Sequence, residues 1–307
     1  MDAGKINEEP ITVRPQRGTD ATIALPVLLA WGRKQLGRAG LPPVEAEWLL
    51  KWTTGHESLI LAPQQMGIRA AENYRSAIAQ RRARVPLQHI TGQMQFRELS
   101  LLAGKGVFAT RPETEMLVDL AKEEVATNRP RIADLCAGSG AIGLALAVEL
   151  PSSKVWLVER SPEAMSYLKR NVKSIEVGDD RVITVLADAL DALPELDGTL
   201  DLVVSNPPYV GLADRPTQPE ALADPEMALY GGGEDGLVIP RGIIGRAFEL
   251  LKRDGTLVME HGERQGHSLC EHALSVGFTI TSTRYDLAGR PRFLVATKGA
   301  DILEDRE

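Results

Sequence analysis

From residue 113 onward, short apolar runs alternate with stretches of helical spacing, and no other feature of the chain narrows its possible folds so far. Residues 113 to about 126 place Met116, Leu117, Leu120 and Ala121 on one helical face; 132–135 reads as a buried strand and 141–150 as a helix. A strand over 155–159 follows, then a helix with Ser161 as its N-cap and Pro162 at its first position, then strands over 182–187 and 200–205. After a long loop come a helix near 240–251, a strand over 256–260, a helix near 265–275 and two last strands over 279–285 and 292–297. Strands separated by helices run parallel through right-handed crossovers, while the final pair, joined by a short turn, runs antiparallel. The expected fold is therefore α/β: a mostly parallel seven-stranded sheet with a C-terminal antiparallel hairpin.

A different rhythm precedes it. Between about 23 and 84 the apolar residues Val27, Leu28 and Trp31, then Ala46, Leu49, Leu50 and Thr53, then Tyr74, Ala77 and Ile78 keep helical spacing, with breaks at Gly40-Leu41-Pro42-Pro43 and near Pro63. Pro86 ends this small bundle, and 87–96 and 99–108 read as two short strands. The expected organisation is a disordered extension over 1–19, a helical domain over 20–85 that recognises substrate, a hairpin linker over 86–112, the sheet domain over 113–299 and a disordered tail over 300–307.

Composition excludes several classes of function. At 307 residues, 43% hydrophobic and 25% charged, the chain can build two domains with a sizeable core. Glu8, Glu9 and Pro10 stand where a signal peptide needs an apolar core, and no run approaches bilayer length, so a cytoplasmic protein with no membrane partner is expected. Cys136 and Cys270 form no CxxC pair; both read as small buried hydrophobes, and no metal site is expected. The net charge of −7 argues against nucleic acid as direct partner. Residues 1–100 nevertheless hold 13 Lys and Arg against 9 Asp and Glu, which leaves −11 on the rest, and Arg75, Arg81, Arg82 and Arg84 cluster where a helix face meets solvent or a partner.

The stretch Val203-Val204-Ser205-Asn206-Pro207-Pro208-Tyr209 carries the chemistry. A β-branched run stops on an asparagine, and two prolines remove two backbone donors and forbid either a continuing strand or an immediate helix. Such a rigid turn gathers the Asn206 side chain, the Pro207 carbonyl and the Tyr209 ring around one volume, which suits a planar NH2 group: two acceptors take its hydrogens and a ring covers its face. Upstream, Asp134-Leu135-Cys136-Ala137-Gly138-Ser139-Gly140-Ala141-Ile142-Gly143 joins a strand to a helix, where glycines let the backbone approach a ligand at the helix N-terminus. Glu159, nineteen residues past Gly140 at the end of the next strand, suits two ribose hydroxyls. Those residues fit NAD, FAD and S-adenosylmethionine alike. The proline turn favours the last, because an NH2 acceptor needs a methyl donor and not a hydride carrier.

Residues 134–143 resemble motif I of class I S-adenosylmethionine methyltransferases, and Asn206-Pro207-Pro208-Tyr209 resembles the motif of those that methylate planar amino groups. Pro86-Leu87-Gln88-His89-Ile90-Thr91-Gly92, followed by Gly106-Val107-Phe108-Ala109-Thr110-Arg111-Pro112-Glu113-Thr114-Glu115, is similar to the linker signature of the HemK family, the release-factor glutamine N5-methyltransferases. The resemblance spans about residues 40–298. It implies a Rossmann-like class I methyltransferase domain behind a small helical domain. The implied reaction carries a methyl group from S-adenosylmethionine to the side-chain amide of the glutamine in the Gly-Gly-Gln motif of peptide chain release factors, by a monomer.

On this resemblance Asp134, Cys136, Ala137, Gly138, Ser139, Gly140, Glu159, Asp188, Ala189 and Asn206 bind the donor, with Cys136 to Gly140 facing its methionine part, Glu159 its ribose, and Ala189 after Asp188 its adenine. Asn206, Pro207, Pro208 and Tyr209 hold the glutamine, and Phe108 closes the pocket; Asn206, Pro207 and Tyr209 are the expected catalytic residues. Family members commonly carry Gly at 136, Pro at 110 and a large aromatic at 189, where this chain has Cys136, Thr110 and Ala189. Two other readings stay open. A DNA or RNA adenine or guanine N-methyltransferase can use the same turn, though aromatics at 5% and the acidic catalytic half speak against it. A non-catalytic nucleotide-binding protein would have no need of an intact proline turn.

Overall fold

The computed structural model describes residues 21–178, 180–215 and 218–299, so the disorder expected over 1–19 and 300–307 lies outside the described residues. The chain divides into two units between Thr91 and Gly92.

In the first unit, strand β1 (Thr22–Ala24) leads into helix α1 (Leu25–Arg38), followed by α2 (Glu45–Thr54), strand β2 (Gln65–Gly67), α3 (Ile68–Arg82) and α4 (Leu87–Thr91). Strands β1 and β2 pair antiparallel across three residues, too few for a period of two to be visible in sequence. Leu28, Leu36, Leu49, Leu50, Tyr74 and Ile78 are fully buried between the helices. The expected inward Val27 is instead 49% exposed, its place in the core taken by Leu25 and Leu28. Tyr74 donates to the Ala46 carbonyl at 3.1 Å, and a Cβ on Gly32 would stand 2.0 Å from that hydroxyl, which explains glycine inside a helix. The Arg81 guanidinium of the basic cluster is turned inward onto Glu45 at 2.6 Å, both groups nearly buried.

The hairpin expected over 87–108 is shorter than its sequence suggested. Residues 87–91 form α4, where the single carbonyl of Pro86 accepts the first helical bonds from both His89 and Ile90. Only β3 (Gln93–Phe96) and β4 (Leu99–Leu102) pair. Their apolar residues Met94, Phe96, Leu99 and Leu101 join the core of the second unit.

That unit continues through a 3-10 turn (Pro112–Thr114), α5 (Glu115–Glu123), β5 (Arg131–Leu135), α6 (Ala141–Glu149), β6 (Lys154–Glu159), α7 (Pro162–Ile175), β7 (Val182–Leu186) and β8 (Leu200–Ser205). A short α8 (Glu226–Leu229), α9 (Val238–Leu250), β9 (Leu251–Glu260), α10 (Gly266–Val276), β10 (Ile280–Tyr285) and β11 (Pro291–Thr297) complete it. The seven strands lie in the order β10-β11-β9-β8-β5-β6-β7, parallel from β7 to β9 and antiparallel at β11 and β10.

Side chains alternate between the two faces of the sheet. Ile132, Leu202 and Val204 point into the core shared with α5, α6 and α7, while Ala133, Leu135 and Val203 point into the core shared with α9 and α10. Each fully buried leucine contributes about 1.5–3 kcal/mol, and both faces are covered, as a parallel sheet requires. Among the described residues no helix is long and apolar enough to cross a membrane. Register brings Leu135 beside Ser205 and Val158, and Ser205 beside Met259, so the carboxyl ends of β5, β6, β8 and β9 lie side by side.

Candidate active site

At the end of β5 the chain takes three left-handed residues in five: Cys136 at φ 67°, Gly138 at 58° and Gly140 at 89°. Only glycine takes that conformation without strain, which accounts for two of the three and makes Cys136 the exception. The turn is clamped on both sides. Ala137 N–H donates to the Val158 carbonyl at 2.8 Å, and Glu159 accepts from Gly138 N–H at 2.8 Å and from Ser161 N–H at 2.6 Å. Ser161 also caps α7, its hydroxyl accepting from Ala164 N–H at 3.2 Å. A Cβ on Gly138 would meet nothing within 4 Å, whereas one on Gly143 would lie 2.1 Å from Leu157, so the first glycine opens space and the last lets helix approach strand.

The turn borders a cleft of ≈ 1170 Å³ of atom-free space, partly open to solvent. Cys136, Ala137, Gly138 and Ser139 line it, as do Glu159, Asp188 and Ala189. Asp188 is tied at the rim to Arg160 at 3.2 Å and accepts from Leu190 N–H at 3.1 Å. Two expected donor-site residues are not in the wall. A Cβ on Gly140 would meet Leu168 at 2.5 Å and Leu144 at 3.0 Å, so glycine here lets the turn close on α6 and α7. Asp134 is fully buried, accepting from Gly143 N–H at 2.9 Å to hold the first turn of α6; burial, opposed by that bond, pushes its carboxyl up to about 7. Neither cysteine is a fully buried hydrophobe: both are half-buried, and Cys136 forms part of the cleft. Burial, with the Glu159 charge beside it, pushes the Cys136 thiol up to about 12, which favours the protonated form.

The proline turn forms more of the same wall: Phe108, Asn206, Pro207, Pro208 and Tyr209 all line the cleft. Ser205 donates to the Leu135 carbonyl at 2.6 Å, which fastens the end of β8 to the end of β5. Beyond the prolines, Val210 N–H donates to the Leu229 carbonyl at 2.8 Å, and Gln265 donates to the Tyr209 carbonyl at 2.8 Å. A Cβ on Gly231 would sit 2.0 Å from the Gly236 carbonyl and 2.8 Å from that of Pro208; the loop after the turn is pressed directly onto it. Arg111 lies 5.2 Å from the Phe108 ring centroid and pairs with buried Asp224 at 2.6 Å, while Glu113 pairs with Arg290 at 3.0 Å. Both thus act in ion pairs.

Behind the turn stands a polar group that sequence reasoning missed. The Asn206 amide donates from Nδ2 to Thr114 Oγ1 at 3.3 Å, Thr114 donates to Glu260 Oε2 at 2.6 Å, and the Tyr209 hydroxyl donates to Glu260 Oε1 at 3.1 Å. Thr114 is fully buried and Glu260 3% exposed. Burial pushes the Glu260 carboxyl up, opposed by the two hydroxyl donors and by the charge of Arg292. Burial likewise raises the Tyr209 phenol, with Glu260 adding to it, so it remains an O–H donor. The signal available in sequence was positional: an acid at the carboxyl end of the strand next to β8, where ligands of parallel sheets collect.

Comparison with known proteins agrees with this geometry. The family model described as methyltransferase small domain matches residues 98–242, and the PrmC N-terminal domain matches residues 27–92. The release factor glutamine methyltransferase of Bifidobacterium longum is 43% identical over 280 residues, 85% of this chain and 95% of the relative. That of Streptomyces coelicolor is 46% identical over 231 residues, 73% and 80% of the two chains, and that of Mycolicibacterium smegmatis 38% over 270 residues, 86% and 94%. At such identity over nearly full length, the chain belongs to the family of release factor glutamine methyltransferases.

Proposed function

We propose that the protein methylates the side-chain amide nitrogen of a release-factor glutamine, with Asn206, Pro207 and Tyr209 as the catalytic residues and S-adenosylmethionine as the methyl source. The residues at the first half of the cleft fit that donor: Gly138 leaves open the space a side chain would fill, and Glu159 offers a carboxylate whose oxygens keep lone pairs beyond the two backbone bonds. Cys136, Ala137, Gly138 and Ser139 would hold its amino-acid part, Glu159 its ribose, and Asp188 and Ala189 its base. Bound there, it supplies an electrophilic sulfonium methyl.

The chain's own residues address the weakness of the nucleophile. A carboxamide nitrogen has its lone pair delocalised into the carbonyl. Asn206 Oδ1 and the Pro207 carbonyl accept its two hydrogens, which raises electron density on the nitrogen and aims it. The rings of Phe108 and Tyr209 exclude water, and no strong base is required, since the methylated nitrogen becomes acidic and sheds its proton late. The observation that carries the reading is the Asn206 amide, which donates to Thr114 and thereby leaves its carbonyl oxygen as an acceptor in a cleft shared with the glycine turn.

The helical unit before Thr91 we assign to recognition of the release factor, because its charge balance differs in sign from the remainder. The protein is read as a cytoplasmic monomer that uses neither nucleic acid nor membrane. Asn206→Ala tests the site: the methylation rate on a release factor is expected to fall by ~10² to 10³, about 3–4 kcal/mol, with donor affinity little changed. A near-parental rate with normal donor binding refutes the acceptor role.

A further inference from the structure

An asparagine side chain has nearly the same shape when turned over by half a revolution, yet its two ends are opposite in hydrogen-bond polarity. A site that needs a carbonyl oxygen in the cleft must therefore select one of two arrangements that sterics do not distinguish. The selector must itself have fixed polarity.

We infer that Thr114 and Glu260 are positioning residues that set the orientation of the Asn206 amide and so make the cleft an acceptor of NH2 groups. The inference rests on the reading that Asn206 receives the substrate amide. A carboxylate has no proton to give, so the single hydroxyl proton of Thr114 is committed to Glu260 Oε2, at 2.6 Å. What Thr114 then presents to Asn206 is a lone pair. A lone pair selects the NH2 end of the amide, at 3.3 Å, and sends the carbonyl end toward the cleft.

The other oxygen of Glu260 takes the proton of the Tyr209 hydroxyl at 3.1 Å, so the same carboxylate fixes the ring on the cleft wall. Two hydroxyl donors and the nearby Arg292 charge favour the carboxylate form against the burial that opposes it. A buried carboxylate is costly unless partnered, and a chain that needed only packing at this strand end would not place one there. Turned over, Asn206 would present a donor to a donor and reject a glutamine amide.

Three variants and one spectroscopic signal test this. Thr114→Val keeps shape and removes the hydroxyl; kcat is expected to fall about tenfold to a hundredfold, with donor Kd unchanged, since the group acts on Asn206 from behind. Thr114→Ser restores the hydroxyl and is expected to recover kcat to within about threefold of the parent, which a purely packing role would not predict. Glu260→Gln, which carries a donor of its own and also loosens Tyr209, should lower kcat at least as much, and adding Thr114→Val to it should cost little more, because Thr114 acts only through that relay.

If Thr114→Val misfolds, Glu260→Gln and the serine variant still decide. The Asn206 side-chain NH2 resonance needs no substrate: slow hydrogen exchange in the parent that is lost in Thr114→Val or Glu260→Gln supports the relay. Parental kcat in Thr114→Val, losses that simply add in the double variant, or an Asn206 NH2 signal indifferent to both substitutions would overturn it. Should the parental protein leave release factors unmodified, the substrate reading fails, and the Asn206 resonance decides the relay alone.

Discussion

Replacing Glu159 by alanine perturbs two things at once, and their sizes can be separated. The carboxylate accepts from Gly138 N–H at 2.8 Å and Ser161 N–H at 2.6 Å, so it shapes the glycine turn as well as facing the cleft. A hydrogen bond to a charged group is worth about 1.5–3 kcal/mol, which sets a gross loss of ~3–6 kcal/mol for the pair. The alanine variant, however, opens the position to water from the cleft, and rehydrated amides recover most of that, leaving about 1–2 kcal/mol. For a protein of this size the expected fall in Tm is then roughly 2–8 °C. Donor binding loses an ionised acceptor for two hydroxyls and is not rescued by water to the same extent; Kd should rise at least about tenfold. Glu159→Gln should stabilise less than its isosteric shape suggests, because one end of its amide must point an N–H at a backbone N–H. Thermal unfolding without donor reads the first effect and calorimetric titration with S-adenosylmethionine the second. A lowered Tm with unchanged affinity would make Glu159 a clamp of the turn and remove it from the donor site.

Cys136→Gly relieves a left-handed backbone worth ~1–2 kcal/mol but gives up the thiol's packing and adds glycine's entropy cost of ~0.5–1 kcal/mol. Stability should therefore stay within about 1 kcal/mol of the parent, and a loss above about 2 kcal/mol in urea unfolding would show the thiol to matter more than the strain. Asp134 titrates near 7 in the folded chain against 3.8 as its ordinary value, so the native state holds an extra proton between those limits. Its contribution, ~4 kcal/mol at most, is complete below about pH 4 and disappears as pH rises through 7; urea midpoints should fall more between pH 5 and pH 8 for the parent than for Asp134→Asn, and equal slopes would contradict the assignment. A fragment spanning residues 92–307 should bind donor yet lose methylation of an intact release factor, and full activity from it would end the recognition role given to the first unit.

What could be read in sequence was whatever local chemistry dictates. The end of β8 was legible to the residue, because Asn206-Pro207-Pro208 leaves a strand nowhere to go; so was the start of α7 at Ser161 and Pro162. The segment 87–91 was misread because Leu87 and Ile90 fit a strand as readily as one helical turn, and the carbonyl of Pro86 decided between them. The resemblance implies a donor-binding role for Asp134, but its carboxylate is drawn back to Gly143 N–H, a bond that only the folded turn creates. Thr114 and Glu260 were passed over because they are 146 residues apart, and neither is unusual until the sheet puts one behind the other.

The strand order also has a consequence for how such a protein can change over generations. The sheet reverses its winding between β5 and β8, so the residues proposed for the donor lie at the ends of β5, β6 and β7, while those proposed for the acceptor follow β8 and end β9. On the proposed reading the two halves of the reaction occupy opposite flanks of one seam, where β5 and β8 pair in parallel register and Ser205 adds a side-chain bond to the Leu135 carbonyl. A lineage, or a library randomised at 206–211 and 260–265, can explore new recipients of the methyl group while the source of that group is inherited intact.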